Sequence, residues 1–176
     1  MLELYTRLKE EYRLGSLLEQ RDNLAFVDVP KELVRPLLQH LSRREGYTHL
    51  VLLTAVDWLE EGEFQLTYLL NNRLQRRDIG LRVRLPREGA SMESIHDIWP
   101  TAATYQRELR EMFGIDFPDS PGVYDDFILE GWQDKPPYRR DFDTLEYAEN
   151  SYKQRPGRET NDPAEHMKKQ LYPEGV

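Results

Sequence analysis

Residues 47–85 read YTHLVLLTAVDWLEEGEFQLTYLLNNRLQRRDIGLRVRL, and the alternation inside them decides the fold. Phe64, Leu66, Tyr68 and Leu70 fall on one side of an extended chain; Ile79, Leu81, Val83 and Leu85 do the same, with Arg82 and Arg84 pointing away. A period of two with one apolar side is the pattern of a half-buried strand. Residues 47–58, 63–71 and 77–85 are therefore predicted strands, joined by Glu60-Glu61-Gly62 and by a looser polar loop at residues 72–75. Connections this short make them an antiparallel meander.

A sheet with an apolar face has to be covered, and the flanking sequence supplies the cover. Upstream, residues 31–45 carry Leu33, Val34, Leu37, Leu38 and Leu41 at helical spacing, with Gly46 as the stop. Pro36 inside that run predicts a bend or a late start, because it removes one hydrogen bond and crowds the carbonyl four residues back. Residues 23–29, NLAFVDV, read as a strand closed by Pro30, and residues 1–14 place Leu4, Leu8 and Tyr12 on one helical stripe. Downstream, residues 99–117 read WPTAATYQRELREMFGIDF. From about Thr101 this is an amphipathic helix, with Ala102, Tyr105, Leu109, Met112 and Phe113 facing inward. Gln106, Arg107, Glu108, Arg110 and Glu111 face solvent, and Gly114 ends the helix in the left-handed conformation. The order predicts an α+β domain over residues 1–117, an antiparallel or mixed sheet with helices packed on one face.

The texture changes from Asp116. Pro118, Pro121, Pro136 and Pro137 interrupt the backbone, and Phe117, Tyr124, Phe127, Trp132, Tyr138 and Phe142 are spread without a period. Residues 118–142 form an extended segment with too much aromatic surface to stay in water, so it packs on its own sheet or on another protein. Residues 143–176 read as a tail that docks to a partner. Residues 143–161, with Tyr147, Tyr152 and Pro156 and hardly any aliphatic side chain, are an extended strap. Asp162-Pro163-Ala164-Glu165 then starts a helix by N-cap, first-turn proline and capping-box glutamate, and the helix runs to about Leu171 before Pro173. Ala164, Met167 and Leu171 share one side of it. A helix this short does not hold in water alone, so it docks to exist.

Composition removes whole classes of chemistry. With no cysteine in 176 residues there are no disulfides, thiolate zinc sites, cysteine-held iron-sulfur clusters or cysteine nucleophiles. His40, His49, His96 and His166 are isolated from one another, and Asp125-Asp126 reads as a solvated turn in a proline-rich loop. No glycine-rich phosphate loop and no nucleophile elbow occur. A net charge of −8 opposes nucleic acid and anionic lipid, so no nucleic-acid partner is expected. The longest nearly apolar run, residues 50–56, is far below the ~20 residues of a membrane helix, and the first twelve residues, MLELYTRLKEEY, do not read as a signal peptide. A soluble protein held at any membrane by its partners is expected. Glu108 and Glu111, three apart on one helix, leave open an acid–base pair in a free-standing hydrolase, against the plainer reading of a solvated Arg107–Glu111 pair. Arg139-Arg140-Asp141, flanked by Tyr138 and Phe142, suits bidentate pairing with carboxylates, either in a partly buried contact with a partner or as a surface ion pair inside the chain.

Gln106-Arg107-Glu108 with Met112-Phe113-Gly114-Ile115-Asp116-Phe117, followed by Trp132 to Phe142 (WQDKPPYRRDF), resembles the double signature of the 30-kDa subunit family of NADH-quinone oxidoreductase (complex I) and the related energy-converting membrane-bound hydrogenases. Ala55-Val56-Asp57-Trp58 fits as well, so the likeness covers roughly residues 20–142. Arg107 and Glu108 match motif positions; Gln106 stands where an acid is commoner, and Glu111 where Asp is commoner. Between Phe117 and Trp132 the family usually has a Gly-His-Pro run followed by Leu and paired Arg, where this chain has Pro118 through Asp126 (PDSPGVYDD). That departure tilts the resemblance towards a hydrogenase-like or other ion-pumping relative, with NADH-quinone oxidoreductase proper as the alternative.

The resemblance implies a non-catalytic accessory subunit of the peripheral arm, on the cytoplasmic face of the cell membrane, scaffolding a large hydrogenase-like or quinone-site subunit with small iron-sulfur subunits nearby. This chain would hold no cofactor, a nickel-iron centre or iron-sulfur clusters lying in the partners. The expected contacts with other subunits are Arg107, Glu108, Phe113, Trp132, Tyr138, Arg139, Arg140, Asp141 and Phe142, with Met167 and Leu171 in the tail.

Overall fold

A computed structural model describes residues 2–152 and 163–171. The chain divides into two units, Met1–Phe142 and Asp143–Val176. In the first, the elements run α1 (Leu2–Tyr12), β1 (Leu17–Arg21), β2 (Leu24–Asp28), α2 (Lys31–Arg43), β3 (His49–Trp58), a 3-10 turn at Leu59–Glu61, β4 (Glu63–Asn72), β5 (Arg77–Pro86) and α3 (Ala102–Phe113). The sheet order is β1-β2-β5-β4-β3. The predicted meander is the antiparallel half of that sheet; β2, from which α2 carries the chain across to β3 at the far edge, pairs parallel with β5, which makes the sheet mixed.

Cross-strand register explains the buried face. Phe64 pairs with Leu85, Leu66 with Val83, Tyr68 with Leu81 and Leu70 with Ile79, and all eight are buried. Val34, Leu37, Leu38 and Leu41 of α2 and Ala102, Leu109, Met112 and Phe113 of α3 belong to the same core cluster. In β3 the register shifts between Leu50 and Leu52, so that Leu50 and Leu53 are both buried despite their odd spacing. A bulge of this kind inserts one residue and swaps which parity faces the core. Beyond it, Ala55 lies opposite Leu66 and Asp57 opposite Phe64, which puts a carboxylate on the core side of the sheet.

α3 covers the outer edge of β3. Trp99 Nε1 donates to the Thr48 carbonyl at 3.0 Å, and the Tyr105 hydroxyl donates to the Val51 carbonyl at 3.0 Å, so edge groups that a strand leaves bare are used.

Several expectations are corrected. β1 is absent from the sequence reading because Leu17-Leu18-Glu19-Gln20-Arg21 has no buried side to alternate with; only Leu17 is even half-buried, and the strand is held by backbone pairing to β2. α2 starts on time at Lys31 and carries Pro36 within it. Gln106, expected in solvent, is fully buried. Its Oε1 accepts from Ser94 Oγ at 2.8 Å and from Ser120 Oγ at 2.7 Å, tying α3 to the loops on either side.

In the second unit, residues 144–151 are not an extended strap. They form α4 (Thr144–Ser151), capped by Asp143, whose carboxylate accepts from the backbone N–H groups of Leu145 at 3.0 Å and Glu146 at 2.9 Å. This is an ordinary N-cap, and it overrides the shortage of aliphatic residues that argued for a strap. The late helix is α5 (Pro163–Leu171). Its expected cap, Asp162, and the rest of the strap at residues 153–161 lie outside the described residues.

Candidate docking site

The segment after α3 is fastened to the sheet by a few charged side chains. Asp57, at the end of β3, has a side chain only 1% exposed. Its Oδ1 accepts from Arg87 Nε at 2.8 Å; its Oδ2 accepts from Arg87 Nη2 at 3.0 Å and from the backbone N–H of Arg140 at 2.9 Å. Arg87 follows β5 directly, and its Nη2 also donates to Asp141 Oδ1 at 2.6 Å. Lys135 Nζ completes the chain of contacts at 3.0 Å from Asp141 Oδ2. Partial burial alone pushes the Asp141 carboxyl up, but hydrogen bonds from Lys135 and Arg87 outweigh it and hold the group down at about 2. Arg87 loses some basicity to desolvation and regains more from its two carboxylates, so it is held above the usual guanidinium range.

Phe113, Gly114 and Arg139 make a second clasp. Gly114 stands at φ +75°, as the sequence predicts, and a Cβ there would lie 2.8 Å from Arg139 Nη2. The glycine thus serves the helix stop and the close approach of the guanidinium at once. Arg139 Nε donates to the Phe113 carbonyl at 2.7 Å, and the Tyr138 N–H donates to the Met112 carbonyl at 3.0 Å, so two orphan carbonyls of α3 are satisfied. The Tyr138 ring stands edge-on to Phe113 at 5.7 Å, and Phe113 edge-on to Phe64 at 6.0 Å.

Glu111 is the third fastening. Its carboxylate accepts from the backbone N–H groups of Phe127 at 2.6 Å, Ile128 at 2.9 Å and Leu129 at 3.1 Å. A carboxylate spent on these donors is not a free acid or base. Nor does the expected pair with Arg107 form; the Arg107 guanidinium instead lies 5.5 Å from the Phe127 ring centroid. Glu108 is half-buried without a partner among the described residues. The acid–base reading of Glu108 with Glu111 is therefore lost.

The other candidates sort by exposure. Arg140 pairs bidentately with Glu60 at 2.5 and 2.9 Å on the surface, which lowers the Glu60 carboxyl. Trp132 packs at a tilt against Phe142 at 5.7 Å, and its Nε1 donates to the Lys135 carbonyl at 3.1 Å. Within this segment the large apolar side chains left in solvent are Tyr124, Ile128 and Tyr138, at 63%, 65% and 57% exposed. Met167 and Leu171 on α5 are also exposed. The structure thus brings together Phe113, Tyr138, Arg139, Arg140 and Asp141. Sequence reasoning missed Asp57, Glu60, Arg87 and Lys135 as their holders. One signal was available for Asp57, a lone charge at an inward parity among Leu53 and Ala55.

The described residues include no cluster of His, Cys, Asp and Glu able to hold a metal ion, and no helix long and apolar enough to cross a membrane.

Comparison with known proteins agrees with this geometry. Residues 27–148 match the family described as respiratory-chain NADH dehydrogenase, 30 kDa subunit. One subunit of the NADH-quinone oxidoreductase of Moorella thermoacetica is 29% identical over 77% of this chain and 92% of its own length. The corresponding subunit from Ruegeria pomeroyi is 36% identical over 60% of this chain, and a longer one from Aquifex aeolicus 28% identical over 77%. The chain spans about half of the Ruegeria relative, 52%, and 23% of the Aquifex one. Among solved structures, a chain of the membrane-bound sulfane sulfur reductase, an archaeal respiratory membrane complex, superposes with a TM-score of 0.83 at 28% identity, covering 92% of this chain and 96% of that one. A trypsin-resistant fragment of Nqo5 superposes at 0.54 with 21% identity over 68% of this chain and 96% of that one, a likeness of fold. The matched span takes in both halves of the signature and the charged residues that clasp them, and the chain belongs to the 30-kDa subunit family of respiratory-chain NADH dehydrogenase.

Proposed function

We propose that the chain is a non-catalytic accessory subunit in the peripheral arm of a complex I-like, membrane-bound respiratory complex, where it scaffolds the large catalytic subunit. One observation carries this reading. The likeness to a chain of the archaeal sulfane sulfur reductase extends over 92% of this chain and 96% of that one, so little of either chain lies outside the match. A match over nearly the whole of both chains is what an equivalent place in a related complex would require. The exposed Tyr124, Ile128 and Tyr138, the Arg140–Glu60 pair and the apolar side of α5 are the contacts this role would use. The cofactors of the complex, a nickel-iron centre or iron-sulfur clusters, belong in this reading to the large subunit and its small iron-sulfur neighbours. The chain reaches the cytoplasmic face of the membrane only through them. The departure at residues 118–126 favours a hydrogenase-related complex over NADH-quinone oxidoreductase proper.

Affinity capture of the tagged chain from gently solubilised native membranes tests this. The expected result is a stoichiometric particle containing a large subunit, iron-sulfur subunits and membrane subunits. A flavin-bearing, NADH-oxidising subunit in the particle would reassign the chain to NADH-quinone oxidoreductase proper, and a chain recovered alone would overturn the role.

A further inference from the structure

The face of the sheet opposite the core carries a basic cleft that takes no part in the clasp. It has a volume of about 570 Å³ and is lined by Arg13, Asp28, Lys31, Gln65, Arg82 and Arg84, together with backbone at Gly15 and residues 29–30. Four cations and one carboxylate meet here in a chain whose net charge is −8. Asp28 is already engaged by the Ser16 hydroxyl. Arg13, Lys31 and Arg82 have no ion pair among the described residues, and Arg84 is shared between Glu61 at 2.9 Å and Glu63 at 3.7 Å. Lys31 adds its charge in the first turn of α2, where the helix end is already positive.

Two of the guanidiniums are held ready. Arg82 lies 4.1 Å from the centroid of the Phe26 ring, and Arg84 lies 4.8 Å from that of Trp58. At Arg82 such stacking restrains the guanidinium and leaves its N–H edge open to a carboxylate, while at Arg84 Nη1 is spent on Glu61 and an incoming carboxylate would meet Nε and Nη2. Phe26 is itself seated over Gly80, where an added Cβ would come within 2.2 Å of the ring, so the platform under Arg82 is built rather than incidental. Arg82 and Arg84 are two apart on β5 and share the outer face. Their spacing is about two strand residues, roughly 7 Å, the same repeat at which side chains recur along one side of an extended peptide.

We propose that this cleft docks an extended acidic protein segment whose carboxylates stand at alternate positions, one on Arg82 and the next on Arg84, with Arg13 and Lys31 closing around the segment's flank. The charge of the cleft selects an anion, and the register of the two stacked guanidiniums selects a peptide over a single phosphate. The site lies on a different face from the α3 clasp, and its occupancy does not depend on the role proposed above.

Fluorescence anisotropy with the full chain and a labelled hexapeptide of alternating Glu and Thr tests this. The peptide should bind, with affinity falling as salt is raised. The peptide of alternating Gln and Thr should not bind. Arg82→Gln combined with Arg13→Gln should weaken the acidic peptide about fivefold or more. If that double variant does not fold, as judged by circular dichroism, Lys31→Gln on the surface of α2 replaces it and should weaken binding in the same direction. Absence of binding, equal binding of the Glu and Gln peptides, or variants that bind like the parent chain would overturn the proposal. So would Arg82-dependent binding that inorganic phosphate or phosphatidylglycerol vesicles reproduce as tightly as the peptide.

Discussion

Asp57 and Arg87 close the open end of the β3-β4-β5 meander, the carboxylate receiving Nε and Nη2 of one guanidinium at 2.8 and 3.0 Å. Asp57 is the more deeply buried partner, 1% exposed against 16% for Arg87. Because Asp57 also takes the backbone N–H of Arg140, the pair that finishes the sheet also anchors the second half of the family signature.

Asp57→Ala should therefore be costly. Removing one member of a buried, hydrogen-bonded pair leaves the other uncompensated, and the expected loss is about 3 kcal/mol or more. Urea unfolding of the free chain measures it, and replacing Arg87 by Leu in the same variant should recover part of the loss. A decrease no larger than that of an exposed pair would mean that water reaches Arg87.

Asp141 sets a pH dependence. Its carboxyl is lowered to about 2 in the folded chain from an ordinary 3.8, so the folded state binds the proton less readily than the unfolded one. The stabilisation is complete above the ordinary value and is lost as pH falls through about 2. Urea midpoints measured from pH 5 down to 2 should fall, and Asp141→Asn should flatten that part of the fall contributed by this group.

Glu111→Gln tests the fastening of residues 127–129. The carboxylate offers Oε2 to Phe127 and Oε1 to Ile128 and Leu129. An amide has one acceptor oxygen and turns an NH2 group towards a backbone donor, at a cost of about 1 to 3 kcal/mol. Hydrogen exchange at these amides should accelerate clearly while exchange in β4 stays unchanged.

The tail should be labile in the free subunit. α4 has no buried residue, and Met167 and Leu171 of α5 are exposed. Helices this short are marginal in water without packing. Amides of residues 144–151 and 163–171 should exchange quickly in the free chain and become protected in the assembled complex. Asp143→Ala should abolish whatever protection α4 has alone. Equal protection before and after assembly would mean the tail is not a docking element.

What the sequence determined by itself was everything that repeats locally. The period of two in residues 63–71 and 77–85 fixed β4 and β5, helical spacing fixed α2 and α3, and Gly114 marked the end of α3, because a buried face imposes its period on neighbouring residues. Adjacent signature residues also revealed the family. Tertiary structure alone decided which polar groups went inside. Gln106 sits on what reads as a solvent face and is buried because Ser94 and Ser120 fold over it from the loops on either side of α3. β1 exists because β2 offers it an edge and not because of its own side chains. Arg140 reaches Asp57 across 83 residues and Glu60 across 80, distances at which no local pattern carries information. A charge or an amide is stable inside only when its partner is placed by the fold, and that placement depends on long-range contacts which no periodic signal encodes.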